Sequence, residues 1–177
     1  YWSDSGVRAT SFAGGSGTSS SPYLISTPAQ LGYLCYLINS STSTSYKSKY
    51  YKLTADLNMN ANYWIPIGYA STSYAFTGNF DGDGHTISYI TINGTYSGCG
   101  LFGYAGSSAT IKNLKMTKLV ITNSKSSTAT YVGCILGYSS NTTISNVYLD
   151  NPCIFDYNTS THYVGGIVGR VYLSTTI

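Results

Sequence analysis

The sequence predicts an all-β fold, a β-helix-like parallel solenoid with one N-terminal capping α-helix. The first observation is an internal repeat, because isoleucine recurs at equal intervals and in matching sequence contexts at Ile111, Ile144 and Ile177. The second is a glycine-rich block that recurs at nearly the same interval. Units of this length bury their apolar side chains only when they stack on one another, so we expect a solenoid. The three blocks are Gly100-Leu101-Phe102-Gly103, Cys134-Ile135-Leu136-Gly137 and Gly166-Ile167-Val168-Gly169.

The residue types of the repeat predict strands, which separates it from helical arrays such as ankyrin or tetratricopeptide repeats. Gly, Thr, Ser, Tyr, Ile and Val dominate, and runs of strong helix formers are rare. In residues 111–116 and 144–149, apolar and polar side chains nearly alternate, as in a short strand with one buried face. The paired glycines predict bends or close backbone contacts between strands.

One amphipathic helix is predicted near the N-terminus, after an irregular lead-in at residues 1–20 and a short strand at residues 22–25. Thr27 is the expected N-cap, Pro28 lies in the first turn, and the helix is expected to end near Asn39. Its position predicts a cap that covers the exposed end of the first coil. The apolar residues at helical spacing are Leu31, Leu34, Cys35 and Ile38.

The coils are expected to begin after a Ser/Thr-rich loop at residues 39–48. Residues 50–57 alternate like a strand, and residues 75–92 predict the first recognisable coil. The interval from Ile87 to Ile111 is shorter than the interval from Ile111 to Ile144, so this coil is expected to be shorter than the later ones. The side of the 50–57 strand that we expect to be buried carries Tyr51, Leu53 and Ala55.

These elements divide the chain into residues 1–57, an N-terminal lead-in with the capping helix, and residues 58–177, the repeats, within a single continuous domain. The ending Thr175-Thr176-Ile177 repeats Thr142-Thr143-Ile144, so we expect the repeats to be truncated here and to continue in a longer parent protein. The remaining domains of that parent are then expected partners. No apolar run approaches the roughly 18 to 20 residues of a membrane span, and we expect no membrane insertion in this segment.

Charge is scarce, because only 8% of residues are charged and glutamate is absent. The surface must consist largely of Ser, Thr, Asn and Tyr, a coat that suits an extracellular protein. The net charge of +3 comes from nine scattered bases, whereas a nucleic-acid surface needs a continuous basic stripe. We therefore expect no nucleic-acid partner.

The four cysteines lack the spacing of a zinc site, and with only two histidines in the chain we expect no metal and no other cofactor. We interpret the cysteines as small buried hydrophobic residues. A disulfide between Cys99 and Cys134, which lie one position out of register in neighbouring glycine-rich blocks, is the alternative. The other two cysteines are Cys35 and Cys153.

The densest polar cluster lies at residues 81–85. Asp81 and Asp83 have the spacing with which a calcium loop begins, so they are the candidate metal ligands. The later acidic ligand of such a loop is missing. The interpretation we favour is a turn in which aspartate caps its own backbone and glycine accepts a positive φ.

No catalytic residue is predicted, and we expect no enzyme. The rival is a polysaccharide lyase or hydrolase, since stacked-strand solenoids also carry such activities with grouped carboxylates. The chain has six acidic residues, all aspartate, of which only Asp81 and Asp83 are close in sequence. His85 and His162 each have a serine nearby, as chance predicts in a serine-rich chain. An enzyme would bring three or more Asp or His side chains together in one groove.

The nineteen tyrosines include the candidate ligand-binding residues. Tyr104 and Tyr138 follow the glycine-rich block at equivalent positions, and Arg170 takes that position in the third unit, so stacking would place the three in one row. Such a row offers flat ring faces and hydroxyl groups to a sugar. The alternative is a purely structural aromatic ladder. Asn113 and Asn146, also equivalent, are expected to stack at a bend and satisfy each other's amides.

Segments spread over nearly the whole chain carry a family resemblance. They are GSGT (15–18), PYLI (22–25), QL (30–31), YKLTADL (51–57), WIPIG (64–68), FTGNFDGDGHTI (76–87) and GLFG (100–103). In this order they resemble bacterial surface proteins that carry GLUG repeats. Members of that family are large secreted or wall-anchored proteins, including adhesin-like proteins of gut bacteria and non-catalytic regions of some IgA-cleaving metallopeptidases. Cys134 departs from the pattern because it replaces the first glycine of its block.

The resemblance implies a module displayed outside the cell, at the cell surface or in the cell wall. We therefore predict a non-catalytic repeat module of a bacterial cell-surface protein, which extends other parts outward and adheres to a host surface or a glycan. A pure scaffold without a ligand is the second rival.

Overall fold

The computed structural model describes residues 1–40, 44–125 and 129–177, and in these residues the fold is mostly β, with parallel sheets and one α-helix. Residues 41–43 of the predicted loop lie outside the described residues. The helix is α1 (Pro28–Asn39), and two 3₁₀ turns span Thr44–Tyr46 and Thr72–Tyr74. The strands are β1 (Tyr23–Ile25), β2 (Tyr50–Leu53), β3 (Leu57–Asn58), β4 (Asn79–Asp81), β5 (Thr86–Ser88), β6 (Thr91–Gly94), β7 (Gly98–Cys99), β8 (Phe102–Thr117), β9 (Val120–Asn123), β10 (Thr130–Gly133), β11 (Leu136–Asp150), β12 (Cys153–Asp156), β13 (His162–Gly165) and β14 (Val168–Val171).

The strands form three parallel sheets that the chain visits in turn. Sheet one has the order β1-β2-β4-β8-β11-β14, with β3 and β5 alongside. Sheet two has the order β13-β10-β7, and sheet three the order β12-β9-β6. From β6 onward the chain passes through sheet three, sheet two and sheet one, three times over. Each strand therefore pairs with the strand that lies about one repeat away.

The strand register confirms the main repeat marker. Ile144 pairs with Ile111, and both side chains are fully buried. Leu136 pairs with Phe102, a separation one residue longer than that of Ile144 and Ile111, because a register shift falls between Ser140 and Thr142. A bulge of this kind inserts one extra residue into one strand. It explains why the glycine-rich block advances by one residue more than the isoleucine between these two units.

The predicted short first coil is wrong. Phe80, not Ile87, is the partner of Ile111. Ile87 instead pairs with Leu57 and Met116. The spacing of isoleucines is misleading at this point because a phenylalanine and an isoleucine fill the same inward position in adjacent units. The interval from Phe80 to Ile111 is close to that from Ile111 to Ile144, so the earlier unit is about as long as the later ones.

Stacked asparagines bend the long strands at equivalent points, as the sequence predicts. Asn113 and Asn146 have left-handed backbones, with φ of 54° and 51°, a conformation that asparagine tolerates better than most residues. The Asn146 amide Nδ2 donates to Asn113 Oδ1 at 2.9 Å, and Asn113 Nδ2 donates to Asp81 Oδ1 at 2.9 Å. The bend also explains why apolar and polar residues alternate only imperfectly in residues 111–116, because it turns both Ile111 and Leu114 inward.

One buried hydrophobic cluster extends through the stacked strands and includes the helix. It reaches from Ile25 in β1 to Ile144 in β11. Trp64 is fully buried, and its indole Nε1 donates to the Leu101 carbonyl at 3.1 Å. By contrast, Ile177 is 63% exposed, although the adjacent Thr176 forms a bridge with Thr143.

The helix has the predicted bounds and cap. The Thr27 side-chain hydroxyl accepts a hydrogen bond from the Gln30 backbone N–H, and Pro28 is in the first turn. All four predicted apolar positions are buried, and Leu37 is buried too. At the last residue, Asn39 Nδ2 donates to the Pro66 carbonyl at 3.1 Å and Asn39 Oδ1 accepts from the Gly68 amide at 2.7 Å. These bonds fix the end of the helix to the segment that precedes Gly68.

The region predicted as one strand at residues 50–57 contains the separate strands β2 and β3. Tyr51 and Leu53 are buried as expected, whereas Ala55 lies between the strands and is half-buried. β2 pairs directly with β4, so the sheet continues across the 57/58 division. The irregular lead-in is tied to the fold by backbone bonds such as Ala13 N–H to the Leu24 carbonyl at 2.9 Å.

The cysteines are free thiols in the described residues, so the alternative of a Cys99–Cys134 disulfide does not hold. Cys99 pairs with Val132, which puts Cys134 two positions further along. Both are buried, as is Cys35, but Cys153 is exposed and does not fit the prediction of a buried residue. Burial raises the pKa of the Cys134 thiol to about 11 and that of Cys35 to about 12, so both are unreactive at neutral pH.

Candidate functional site

Tyr104, Tyr138 and Arg170 lie in one row of sheet one. Tyr138 pairs with Tyr104 on one side and with Arg170 on the other. The Tyr104 and Tyr138 ring centroids are 5.3 Å apart at an interplanar angle of 38°. The predicted row therefore exists in the structure, although its ligand-binding role stays a prediction.

Sheet two adds tyrosines that the sequence reasoning missed. Tyr131 in β10 pairs with Tyr163 in β13, and their rings stack with centroids 5.6 Å apart. The Tyr131 ring also lies 5.1 Å from that of Tyr138, and the Tyr138 ring stacks on Tyr172 at 6.1 Å. We call these five tyrosines and the arginine the tyrosine cluster. Its members are Tyr104, Tyr131, Tyr138, Tyr163, Arg170 and Tyr172.

Glycines of the repeated block bring the two sheets together at the tyrosine cluster. A Cβ atom on Gly137 would lie 2.5 Å from the Tyr131 carbonyl oxygen and 2.6 Å from the Cys99 amide nitrogen. At the equivalent Gly169, a Cβ atom would lie 2.5 Å from the Val132 amide nitrogen. Backbone segments therefore contact each other directly where the chain passes from β10 to β11. Only glycine leaves room for this contact. The close approach places the Tyr131 row beside the Tyr138 row.

The tyrosine cluster becomes more exposed from Tyr104 towards β14. Tyr104 is only 7% exposed, and burial raises the pKa of its hydroxyl to about 12. Burial also raises the pKa of Tyr138, although the positive charge of Arg170 acts in the opposite direction. Tyr163 and Tyr172 are 37% and 61% exposed. Tyr104 therefore packs as a structural ring, whereas Tyr163 and Tyr172 lie at the last strands, where Val164 is also 53% exposed although its partner Val132 is fully buried.

Asp81 and Asp83 form the predicted turn. The Asp83 amide donates to Asp81 Oδ1 at 2.9 Å, and Asp83 and Gly84 have positive φ. Asp81 pairs with Lys112 at 3.3 Å and Asp83 with Lys52 at 3.0 Å. Partial burial raises the pKa of Asp81, but bonds from Asn113, the Asp83 amide and Lys112 outweigh it, so that pKa is below its usual range. Both carboxylates therefore already contact protein groups. A metal-binding role for Asp81 and Asp83 stays a prediction.

Replacing Asp81 by alanine is expected to lower the free energy of unfolding by about 1–2 kcal/mol, because it leaves the Asn113 amide and the Asp83 N–H without their acceptor. Urea unfolding measures this. The control is Asp83→Asn, which removes only an exposed ion pair and is expected to cost about 0.5 kcal/mol or less. Equal costs for the two variants would contradict the proposed role of Asp81.

Each of the two histidines lies close to one carboxylate. His85 Nδ1 lies 3.2 Å from Asp56 Oδ1, and His162 Nδ1 lies 3.6 Å from Asp156 Oδ2. The Asp56 pKa is lowered, chiefly because its carboxylate accepts the Thr86 amide. In residues 1–40, 44–125 and 129–177, no group of three His, Cys, Asp or Glu side chains has a metal-binding arrangement.

No known protein-family profile matches the chain. It is 31% identical over 188 residues to halomucin of Haloquadratum walsbyi, an alignment that covers 100% of this chain and 2% of halomucin. It is 32% identical over 118 residues to a protein of Evansella cellulosilytica proposed to be a Gly-rich membrane protein, covering 63% of this chain and 13% of that protein. The chain thus spans a small fraction of the length of these relatives. The resemblance to GLUG-repeat proteins stays a prediction.

A solved structure with a similar fold is that of a protein from Bacteroides ovatus proposed to be an immunoglobulin A1 protease. The TM-score is 0.53 at 16% identity, over 93% of this chain and 66% of that chain. At this identity the similarity concerns the fold alone. Among the described residues, no helix combines the length and apolar character needed to cross a membrane.

Proposed function

We propose that this chain is a non-catalytic repeat segment of a much longer, extracellular cell-surface protein, in which it forms a β-helical solenoid and binds glycans. The observation that carries the proposal is the parallel pairing of Tyr104, Tyr138 and Arg170, one from each successive coil. Such pairing keeps equivalent side chains in one row across successive strands, and Tyr138 and Arg170 in this row are half-buried whereas Tyr104 is buried. Each coil lengthens the stack by about 4.8 Å, so the same repeat serves as a spacer and as a binding surface.

The order in which the chain visits the sheets supports the solenoid. Sheets three, two and one recur in the same order in three successive passes, and each return adds a parallel strand to each sheet. The helix follows β1, the edge strand of sheet one, and Leu31 and Leu34 join the continuous core. A helix in that position covers apolar side chains that an open first coil would expose.

The names of the relatives support a place at the cell surface. Halomucin and the Gly-rich membrane protein are both much longer than the matched segment, so the remaining parts of a parent protein are proposed partners. The low charge of the chain, 8% of residues, fits an extracellular coat of hydroxyl and amide groups.

The arrangement of the carboxylates supports a non-catalytic role. Asp81 and Asp83 each contact a lysine, and Asp56 and Asp156 each contact one histidine. A glycosidase would instead need a pair of carboxyl groups across one sugar-binding cleft. Binding without catalysis is the function that these contacts favour.

Glycan-array binding by the whole chain tests the proposal. The wild type is expected to bind a subset of glycans, and Tyr131→Ala combined with Tyr138→Ala is expected to lose most of that binding, because both rings are half-buried on strands that are paired on both sides. The matched control is Tyr148→Ala, a 58% exposed tyrosine that lies under Lys115 outside the tyrosine cluster. Binding to no glycan would favour the pure scaffold, and cleavage of a bound glycan would favour the polysaccharide-active enzyme.

A further inference from the structure

We propose that a cleft on the outer face of sheet one, the face opposite its buried side, is a second glycan-binding site that takes an uncharged oligosaccharide. The cleft has a volume of about 530 Å³, and residues of β1, β2, β4 and β8 line it together with Ser19 and Pro22, which precede β1. It shares no residue with the tyrosine cluster, so it adds a separate contact to the proposed function.

Strand alternation places the lining side chains in two rows. The buried side chains at the centres of β2, β4 and β8 include Tyr51, Phe80 and Ile111, and the residues beside them point to the outer face. Parallel pairing then aligns these residues across the strands at a spacing of about 4.8 Å. The two rows are Tyr50–Asn79 and Leu24–Lys52–Asp81–Lys112.

The cleft lies on strands that are paired on both sides. β2 lies between β1 and β4, β4 between β2 and β8, and β8 between β4 and β11. On the other side of β1, backbone bonds of 2.9 Å join Leu24 to Ala13 and Gly14. The exposure of the lining side chains is therefore not that of an unpaired strand edge.

The β1 and β2 side of the cleft is apolar. Pro22, Leu24 and Tyr50 line it, and the Tyr50 ring is 37% exposed. Leu24 is only half-buried, because it points to the outer face while Ile25 beside it is fully buried. A tyrosine ring beside two aliphatic side chains is a surface against which the C–H face of a sugar ring packs.

The charges on the β4 and β8 side are balanced. Asp81 contacts Lys112 at 3.3 Å, and Asp83 contacts Lys52 at 3.0 Å. Each lysine therefore has one carboxylate partner, and the four side chains together carry no net charge. An ionic ligand would have to displace one of these partners, whereas an uncharged ligand leaves both pairs intact.

Hydrogen-bonding groups remain for the hydroxyls of a sugar. Asn79 Oδ1 accepts from the Thr110 hydroxyl at 2.6 Å, and within the described residues its Nδ2 group donates no hydrogen bond. The ammonium groups of Lys52 and Lys112 carry three donors each, more than one carboxylate partner uses. Because a sugar hydroxyl both donates and accepts, it can bind to amide, ammonium and carboxylate groups alike.

This combination favours an uncharged oligosaccharide over other ligands. A nucleic acid needs a continuous stripe of cations. An extended peptide that adds a strand needs an unpaired sheet edge, which β2 and β4 do not offer. A purely apolar ligand would bury Asp81 and Lys112 without hydrogen bonds to replace those of water. A sugar chain presents an apolar ring face to one side of the cleft and hydroxyls to the other.

Titration of the whole, isotopically labelled chain with cellohexaose, mannohexaose and xylohexaose, followed by NMR, tests the inference. At least one of the three is expected to shift the backbone amide signals of Lys52, Asp81 and Lys112. Ser19→Trp fills the cleft with an indole ring, and Tyr50→Ala removes part of its apolar side. Each variant is expected to weaken this binding about tenfold or more.

The matched controls are Ser20→Trp and Tyr148→Ala. Ser20 is the exposed neighbour of Ser19 but does not line the cleft, and Tyr148 is an exposed tyrosine on β11 outside it. Both variants are expected to bind like the wild type. An unchanged thermal melting temperature of Ser19→Trp separates a filled cleft from misfolding.

NMR also distinguishes the cleft from the tyrosine cluster. On a dense glycan array both sites can hold neighbouring glycans at once, so loss of either site is expected to remove most of the signal. A soluble oligosaccharide reports each site separately. Shifts confined to the tyrosine cluster, at Tyr131 and Tyr138, would overturn the inference and leave the proposed function intact.

Three further results would overturn the inference. The first is that none of the three oligosaccharides shifts the amide signals of the cleft. The second is that Ser19→Trp binds as tightly as the wild type, because the ligand would then lie elsewhere. The third is tighter binding of an oligogalacturonate or a poly-aspartate peptide in the cleft, which would show that it selects a charged ligand.

Discussion

Replacing Gly137 by alanine is expected to lower the free energy of unfolding by about 3 kcal/mol. The added Cβ atom would lie 2.5 Å from the Tyr131 carbonyl oxygen, 2.6 Å from the Cys99 amide nitrogen and 2.8 Å from the Gly103 carbonyl oxygen. All three are backbone atoms of paired strands, so none can rotate away as a flexible side chain would. Relief requires sheets one and two to separate, which breaks ladder hydrogen bonds between their parallel strands.

Gly166→Ala is the matched control for this substitution. Gly166 belongs to the same repeated block, but a Cβ atom there would meet nothing within 4 Å. We expect a change of about 0.5 kcal/mol or less. Urea unfolding followed by circular dichroism measures both variants. If Gly137→Ala were as stable as Gly166→Ala, the backbone contact between sheets one and two would not exist as described.

The two glycines also show how far the repeat itself could be interpreted from the sequence. Their shared pattern predicts a bend or a close contact, and both the repeat and the parallel strands follow from the same spacing. Cys134 stands at the position of Gly166 in the preceding unit, so the pattern shows that this position accepts a side chain. It does not reveal that a Cβ atom on Gly137 would meet three backbone segments, whereas one on Gly166 would meet none. That difference depends on how the chain returns to the same sheets, and therefore on contacts between residues far apart in sequence.

The candidate site could likewise be predicted only in part, because contacts between residues far apart in sequence complete it. Tyr104, Tyr138 and Arg170 were predictable because they occupy one repeat position. Tyr131 and Tyr163 also lie about one repeat apart and are paired, so the same spacing contains the signal for them. What the sequence could not reveal is that sheet two meets sheet one closely enough to bring two separate rows of tyrosines into contact.

The assignment of Ile87 failed for a different reason. A phenylalanine, Phe80, holds the inward position that isoleucine holds in the later strands of sheet one. A search for recurring isoleucines passes over it, because burial in the stack selects for an apolar side chain and not for one residue type. The strand register, which depends on long-range pairing, identifies the correct partner.

Replacing Ile111 by alanine is expected to cost about 2–5 kcal/mol of unfolding free energy. Ile111 is fully buried in the middle of sheet one, where Phe80 and Ile144 flank it on adjacent strands. Parallel ladders fix both neighbouring strands, so the core can close only part of the cavity that the lost atoms leave. The cost should therefore fall in the upper half of that range rather than near its lower limit.

Ile177→Ala tests whether this cost comes from the repeat motif or from burial in the stack. Ile177 is preceded by the same two residues, Thr-Thr, as Ile144, yet it is 63% exposed. Its replacement is expected to change the free energy of unfolding by about 0.5 kcal/mol or less, as measured by urea titration beside Ile111→Ala. Similar losses of unfolding free energy for the two variants would mean that isoleucine stabilises the fold through its own preference for strand conformation. A large loss at Ile111 alone would mean that it matters because a strand of sheet one lies on each side of it.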